Sequence, residues 1–246
     1  METITRPTDY FGENLAQLLS DKICTVFKGF NDRSFVQNIK DACTDIMLTQ
    51  RAELIADNLK IYLPNNFKEA LNILNKIMGP ENKQETGMFT NFYWLMPVGK
   101  FIEKYGLDNY AESISAIEEI TKRNTGEYAI RPFIRKYPKN TLKQIKKWAR
   151  SENFHLRRLS SEGLRPKLPW AEKLDLFIEN PKPVFEILEI LKSDKIKFVK
   201  KSVANNLTDY IKVNPKVTYE LINQWKNTDN EDTLWIIKHA TRKYQE

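Results

Sequence analysis

Apolar residues recur three or four positions apart through most of the chain: in FGENLAQLLSDKICTVFKGF from Phe11, FVQNIKDACTDIML from Phe35, RAELIADNLKIYL from Arg51 and FKEALNILNKIM from Phe67. That spacing lays them along one face of a helix and predicts four helices, which fit as two antiparallel pairs. The residues before Phe11 lack the pattern and are expected to fray. GPENKQETG, residues 79–87, reads as a surface loop. From Met88, MFTNFYWLMPVGKFIEKYGL predicts a further apolar helix, interrupted near Pro97. Phe89, Phe92, Tyr93 and Trp94 fall there at core spacing, with a binding stripe as the other reading.

The second half repeats itself. IRKYPKNTLKQIKKW, ending at Trp148, overlays IKVNPKVTYELINQW, ending at Trp225, without a gap at a shift of 77, so that Pro138 falls on Pro215 and Thr141 on Thr218. LRRLSSEGL from Leu156 overlays VKKSVANNL from Val199 at a shift of 43. A helix, a turn and a second helix repeated every ~34 to 43 residues is the pattern of an α-solenoid. Tyr-Pro at 137–138 and Asn-Pro at 180–181 and 214–215 stop the helices before them, because a residue preceding proline avoids the α region. Ser151, Asp194 and Thr228 mark the turn inside each unit. The expected fold is all-α: stacked antiparallel helix pairs forming HEAT-like repeats, with a concave basic groove.

Composition agrees with helices. The chain of 246 residues has only 8 Gly, too few for the many turns of a sandwich or barrel. No apolar run reaches the ~18 to 20 residues that span a bilayer, and a soluble cytoplasmic protein is expected. Cys24 and Cys43 lie in apolar helical patterns and are expected as reduced, buried thiols. There is no Gly-rich phosphate loop, and His155 and His239 lack ligand spacing to Cys or carboxylate, so neither a cofactor nor a metal is expected.

Charge divides the chain. Residues 1–120 carry 12 Lys and Arg against 17 Asp and Glu, a net of −5, whereas residues 121–246 carry 27 against 15, a net of +12. A basic half beside an acidic one is the footprint of a region that meets a polyanion, although a lysine-rich surface alone would produce it too. One domain is expected over 1–246, with acidic repeats over 1–120 and the DNA groove in 121–246.

The second helices of successive units would line that groove. They carry Arg157, Arg158 and Glu162, then Lys200, Lys201, Asn205, Asn206 and Asp209, then Lys238, His239 and Arg242. Cation pairs at matched positions of stacked helices would track a phosphate backbone, while a solvated helix face is the plainer account of any one pair. Glu127, Glu162 and Asp209 are out of place in a wall that attracts polyanions. Glu162 stands where the next repeat has Asn205, so the scaffold does not demand its charge. An ion pair with a nearby Arg would explain such a carboxylate; so would chemistry on a cationic base. Loss of a base alkylated at a ring nitrogen leaves an oxocarbenium-like sugar. A carboxylate about 4 Å away would stabilise it by about 4 kcal/mol at an effective dielectric near 20, about a thousandfold in rate. Trp170, in RPKLPW, would either pack on the lesion or lie in the core between repeats.

EITKRNTGEYAIRPF, HLRRLSSEGLRPKLPWA, VKKSVANNLTDYIKVNP and WIIKHATRKY together resemble the diagnostic segments of the AlkC-type alkylpurine DNA glycosylases, within the HEAT-like repeat superfamily that also holds AlkD. The resemblance covers nearly the whole chain. It implies monofunctional, cofactor-free excision of cationic bases from double-stranded DNA, 3-methyladenine first and 3-methylcytosine as a second candidate, without base flipping. It assigns Glu127, Glu162 and Asp209 as active-site carboxylates and Arg158 and Trp170 as DNA or lesion contacts, and Arg131 and Arg165 in the same motifs are expected to contact DNA as well. Some members append an immunoglobulin-like domain; none is expected here, and a monomer is. The rival from another class is a non-catalytic HEAT-like scaffold that binds nucleic acid or an acidic protein.

Overall fold

The computed structural model describes residues 6–87, 89 and 91–244. All regular structure among them is helical: fourteen α-helices and two 3-10 turns. The fraying expected at the start of the chain falls partly on residues 1–5, outside the described residues; Pro7–Tyr10 form a 3-10 turn. The chain forms two compact units, Met1–Ala129 and Ile130–Glu246. No helix among the described residues is long and apolar enough to cross a membrane.

In the first unit, α1 (Glu13–Val26), α2 (Asp32–Ala42), α3 (Leu48–Tyr62) and α4 (Phe67–Lys76) are the four helices that the apolar spacing predicts. Asn31 and Asn66 cap α2 and α4 by accepting backbone N–H bonds. Leu15, Leu19 and Ile23 of α1, Phe35 and Ile39 of α2, and Ile55 and Leu59 of α3 are fully buried. Burial of each contributes about 1.5–3 kcal/mol. The segment from Met88 is helical only from Tyr93, where a 3-10 turn (Tyr93–Leu95) leads into α5 (Met96–Tyr105); Met88 and Thr90 lie outside the described residues. Pro97 does not interrupt a helix but stands in the first turn of α5, where its missing N–H has no intrahelical partner to lose. Trp94 is buried, with Lys22 Nζ 4.5 Å above its ring, whereas Phe89 is exposed. After α6 (Tyr110–Thr121) the unit closes on the turn that carries Glu127. Cys24 and Cys43 are free and half-buried, more open than expected.

The second unit contains the repeat. It comprises α7 (Arg131–Lys136), α8 (Pro138–Trp148), α9 (Phe154–Glu162), α10 (Asp175–Glu179), α11 (Lys182–Leu191), α12 (Lys197–Val213), α13 (Pro215–Trp225) and α14 (Glu231–Thr241). α8 and α13 both start at their proline and end at their tryptophan, as the 77-residue overlay requires. Ser151 Oγ, Asp194 Oδ1 and Thr228 Oγ1 each accept from the N–H two residues on, at 3.1, 2.9 and 3.2 Å, so one turn device is used in all three units. α12 packs on both α9 and α14, and the second helices of the units therefore form one continuous row.

Candidate active site

Glu162, Arg165 and Asp209 gather where α9 ends against the middle of α12. Glu162 is the last residue of α9, and its chain then turns close under Ile130: a Cβ on Gly163 would come within 2.9 Å of Ile130 Cγ2, so a larger residue would have to displace that side chain. Glu162 is 5% exposed. Its Oε1 accepts from Arg165 Nη1 at 2.7 Å and lies 3.6 Å from Arg158 Nη2, while its Oε2 accepts from Ser202 Oγ at 2.6 Å. Arg165 then donates through Nε to Asp209 Oδ2 at 2.7 Å. One guanidinium thus bridges two buried carboxylates. Arg158 also lies 4.9 Å over the Phe198 ring.

The two acids respond differently to this setting. Burial pushes the Glu162 carboxyl up, but Arg158, Arg165 and the Ser202 hydroxyl outweigh it and hold the group below the usual range. Asp209 has fewer partners, and burial leaves its carboxyl raised despite Arg165. The pair holds Arg165 firmly protonated against the opposing effect of its own burial.

Trp170 is 67% exposed and adopts φ +61°, so it does not lie in the core between repeats. Arg131, by contrast, is buried at 2% exposure and donates to the carbonyls of Gly163, Arg165 and Glu172 at 3.1, 2.9 and 2.5 Å. Arg157 is turned to Asp194, 2.5 Å away, and to the carbonyls of Ser151 and Glu152. Lys200 pairs with Asp232 at 2.5 Å and Asn206 donates to Ser161 O at 2.7 Å. These four polar groups are engaged within the protein itself. Asn205 is half-buried, and Lys201, Lys238 and Arg242 stay exposed. His239 stacks on Trp235 at 4.8 Å with an angle of 11° between the rings, and contacts Arg242. Burial first, then Arg242 and Lys201, lower its proton affinity.

In the first unit, Glu127 is 5% exposed and its Oε2 accepts from Thr125 Oγ1 at 2.7 Å. Gly126 permits this turn, since a Cβ there would meet Thr121 Oγ1 at 2.5 Å. Asn124 Nδ2 ties the turn to Phe92 O at 2.6 Å.

Sequence reasoning missed two hydroxyls that orient carboxylates, Thr125 and Ser202. The second left a signal. In the 43-residue overlay Ser202 falls on Leu159, a core position, and a hydroxyl in an apolar register needs a polar partner.

A protein named uncharacterized protein YhaZ from Bacillus subtilis (strain 168) is 35% identical over 235 residues, 95% of this chain and 63% of its own length. The structure of Pseudomonas fluorescens alkylpurine DNA glycosylase AlkC, bound to DNA containing an abasic site analog, superimposes with a TM-score of 0.87 at 28% identity over 98% of this chain and 65% of that one. The chain therefore spans less than two thirds of the length of either protein. That structure bears out the all-helical repeat fold. The model of the DNA alkylation repair enzyme family matches residues 94–244, a segment that takes in Glu127, Arg158, Glu162, Arg165, Trp170 and Asp209. By that match, the chain belongs to the DNA alkylation repair enzyme family.

Proposed function

We propose that this protein is a monofunctional DNA glycosylase that hydrolyses the N-glycosidic bond of cationic alkylated bases in double-stranded DNA, 3-methyladenine first and 3-methylcytosine next. The observation that carries the proposal is the Glu162–Arg165–Asp209 cluster, two buried carboxylates bridged by one guanidinium on a loop that also carries an exposed tryptophan. The AlkC glycosylase of the same fold is bound to DNA containing an abasic site analog, which supports this reading.

A carboxylate kept ionised by its surroundings is suited to stabilise an oxocarbenium-like sugar and to orient the attacking water. Glu162, with its lowered proton affinity, fits the electrostatic role. Asp209, with a raised one, fits reception of a proton from that water. A cationic base is already a good leaving group, so no general acid is needed, and neither a cofactor nor a metal enters the scheme. The exposed Trp170 indole would pack against the lesion or its sugar, contributing about 1 to 2 kcal/mol if it faces the cation. Lys201, Lys238 and Arg242 would meet phosphates. Glu127 remains a candidate on its motif, with Thr125 to orient it. The protein would act as a monomer in the bacterial cytoplasm and without base flipping.

A non-catalytic scaffold also accounts for carboxylates closed into ion pairs. Release of bases from methylated duplex DNA by wild type and by Glu162→Gln separates the two readings. Release of 3-methyladenine that falls a hundredfold or more in the variant, with DNA binding kept, is expected. A folded, DNA-binding wild type that releases no base would overturn the proposal.

A further inference from the structure

The buried Arg131 stands outside the carboxylate cluster yet touches the same loop at both ends. We propose that Arg131 is a positioning residue: from inside the protein it clamps the loop 163–174, so that Arg165 bridges Glu162 and Asp209 and Trp170 is held outward. The inference rests on the glycosylase reading for its effect on catalysis, but not for its effect on the loop.

Nη1 of Arg131 donates to Gly163 O and Arg165 O, where α9 has ended and its last carbonyls lack helical partners. The positive charge also suits the C-terminal end of a helix dipole. Nη2 donates to Glu172 O, nine residues beyond Gly163, so one planar guanidinium joins the start and finish of the loop. Arg135, one turn further along α7, donates to Lys173 O at 3.2 Å and pairs with the Glu172 carboxylate at 3.1 Å, and Leu174 N donates to Pro166 O at 3.2 Å. Between these ties lies Trp170, a non-glycine residue in the left-handed region. Such backbone is unfavourable for an L residue and persists where its surroundings over-determine it. Three carbonyls in different directions suit the rigid five-donor fork of arginine and not the single ammonium of lysine.

The consequence reaches the carboxylates through Arg165. Its backbone is fixed at its carbonyl by Arg131, and its side chain can then place Nε on Asp209 and Nη1 on Glu162 together. A loop released from Arg131 would leave Glu162 without one of its counter-charges. The acid side of the activity profile would then move to higher pH.

The test uses Arg131→Lys and Arg131→Gln in the full chain. In the 19F spectrum of protein labelled with 5-fluorotryptophan, the Trp170 resonance, assigned with Trp170→Phe, is expected to shift and sharpen while those of Trp94, Trp148 and Trp225 stay in place. Release of methylated bases under single-turnover conditions should slow tenfold or more, affinity for undamaged duplex should stay within threefold, and the acid limb should shift upward in pH. A Trp170 resonance that does not move, or an unmoved acid limb with rate and affinity falling together, would overturn the clamp. If wild type releases no base, the functional reading fails, and the Trp170 resonance still decides whether the loop is clamped. Should neither variant fold, the wild-type guanidinium decides: Arg131 Nη protons that exchange slowly with water support the clamp, and rapid exchange rejects it.

Discussion

Glu162 and Asp209 share Arg165, yet their contributions to stability should have opposite signs. A carboxyl held below its unfolded value stabilises the fold above that value, and the stabilisation is lost as pH falls through the lowered one. Glu162 therefore contributes at neutral pH, and its contribution disappears only below the ordinary carboxylate value of 4.5. Glu162→Gln should lower the melting temperature at pH 7 and flatten the acid limb of stability in a pH series of thermal melts. Asp209 is raised, so its ionised form disfavours the fold at neutral pH, and that penalty fades as pH falls through the raised value. Asp209→Asn, which keeps an acceptor for Arg165, should leave the pH 7 melting temperature unchanged or higher. Arg165→Gln leaves Asp209 buried without its cation and Glu162 with Arg158 and Ser202 only, and a loss of about 3–5 kcal/mol by urea titration is expected. At this scale Glu162 and Asp209 were legible because charge stood where a repeat neighbour was neutral or where a cationic wall disfavoured it. Arg131 was not: a cation in a basic motif reads as a phosphate contact, and nothing in the order of residues says that three carbonyls will surround it.

Within the helices, the matched turn residues do unequal work. Ser151 and Thr228 only close their turns, whereas Asp194 also faces Arg157, and the Asp194 side chain is 6% exposed. Ser151→Ala should cost about 1 kcal/mol, the value of one ordinary hydrogen bond. Asp194→Ala should cost about 3 kcal/mol, since it leaves a half-buried guanidinium unpaired. Asp194→Asn should fall between the two, and all three are read by urea denaturation. Most of the architecture here was legible in advance. The prolines at 138, 181 and 215 and the turn residues act on their own backbone, and local chemistry survives in sequence. Pro97 shows where that fails. Proline ends a helix or begins one according to which side the helix lies on, and an apolar run on both sides conceals the answer.

At the scale of the molecule, the acidic and basic parts of the sequence correspond closely to the two units, which divide after Ala129. Under the glycosylase reading, DNA affinity should fall steeply with salt, and neutralising Lys201, Lys238 and Arg242 together should reduce the slope of log affinity against log salt by about 0.9 for each phosphate that these side chains no longer neutralise. Replacing Glu85 and Glu112, in the acidic part, should leave that slope unchanged. Both are checked by anisotropy titrations across a salt series.

Arg158 and Arg165 balance Glu162 and Asp209 charge for charge, so the cluster carries no net charge before any ligand arrives. Such a centre is electrostatically silent at a distance. The exterior lysines would draw in damaged and intact duplexes at the same rate, and discrimination would begin only after encounter, in how long each complex survives. Stopped-flow association should therefore give equal on-rates for the two duplexes, with the whole difference between them in residence time.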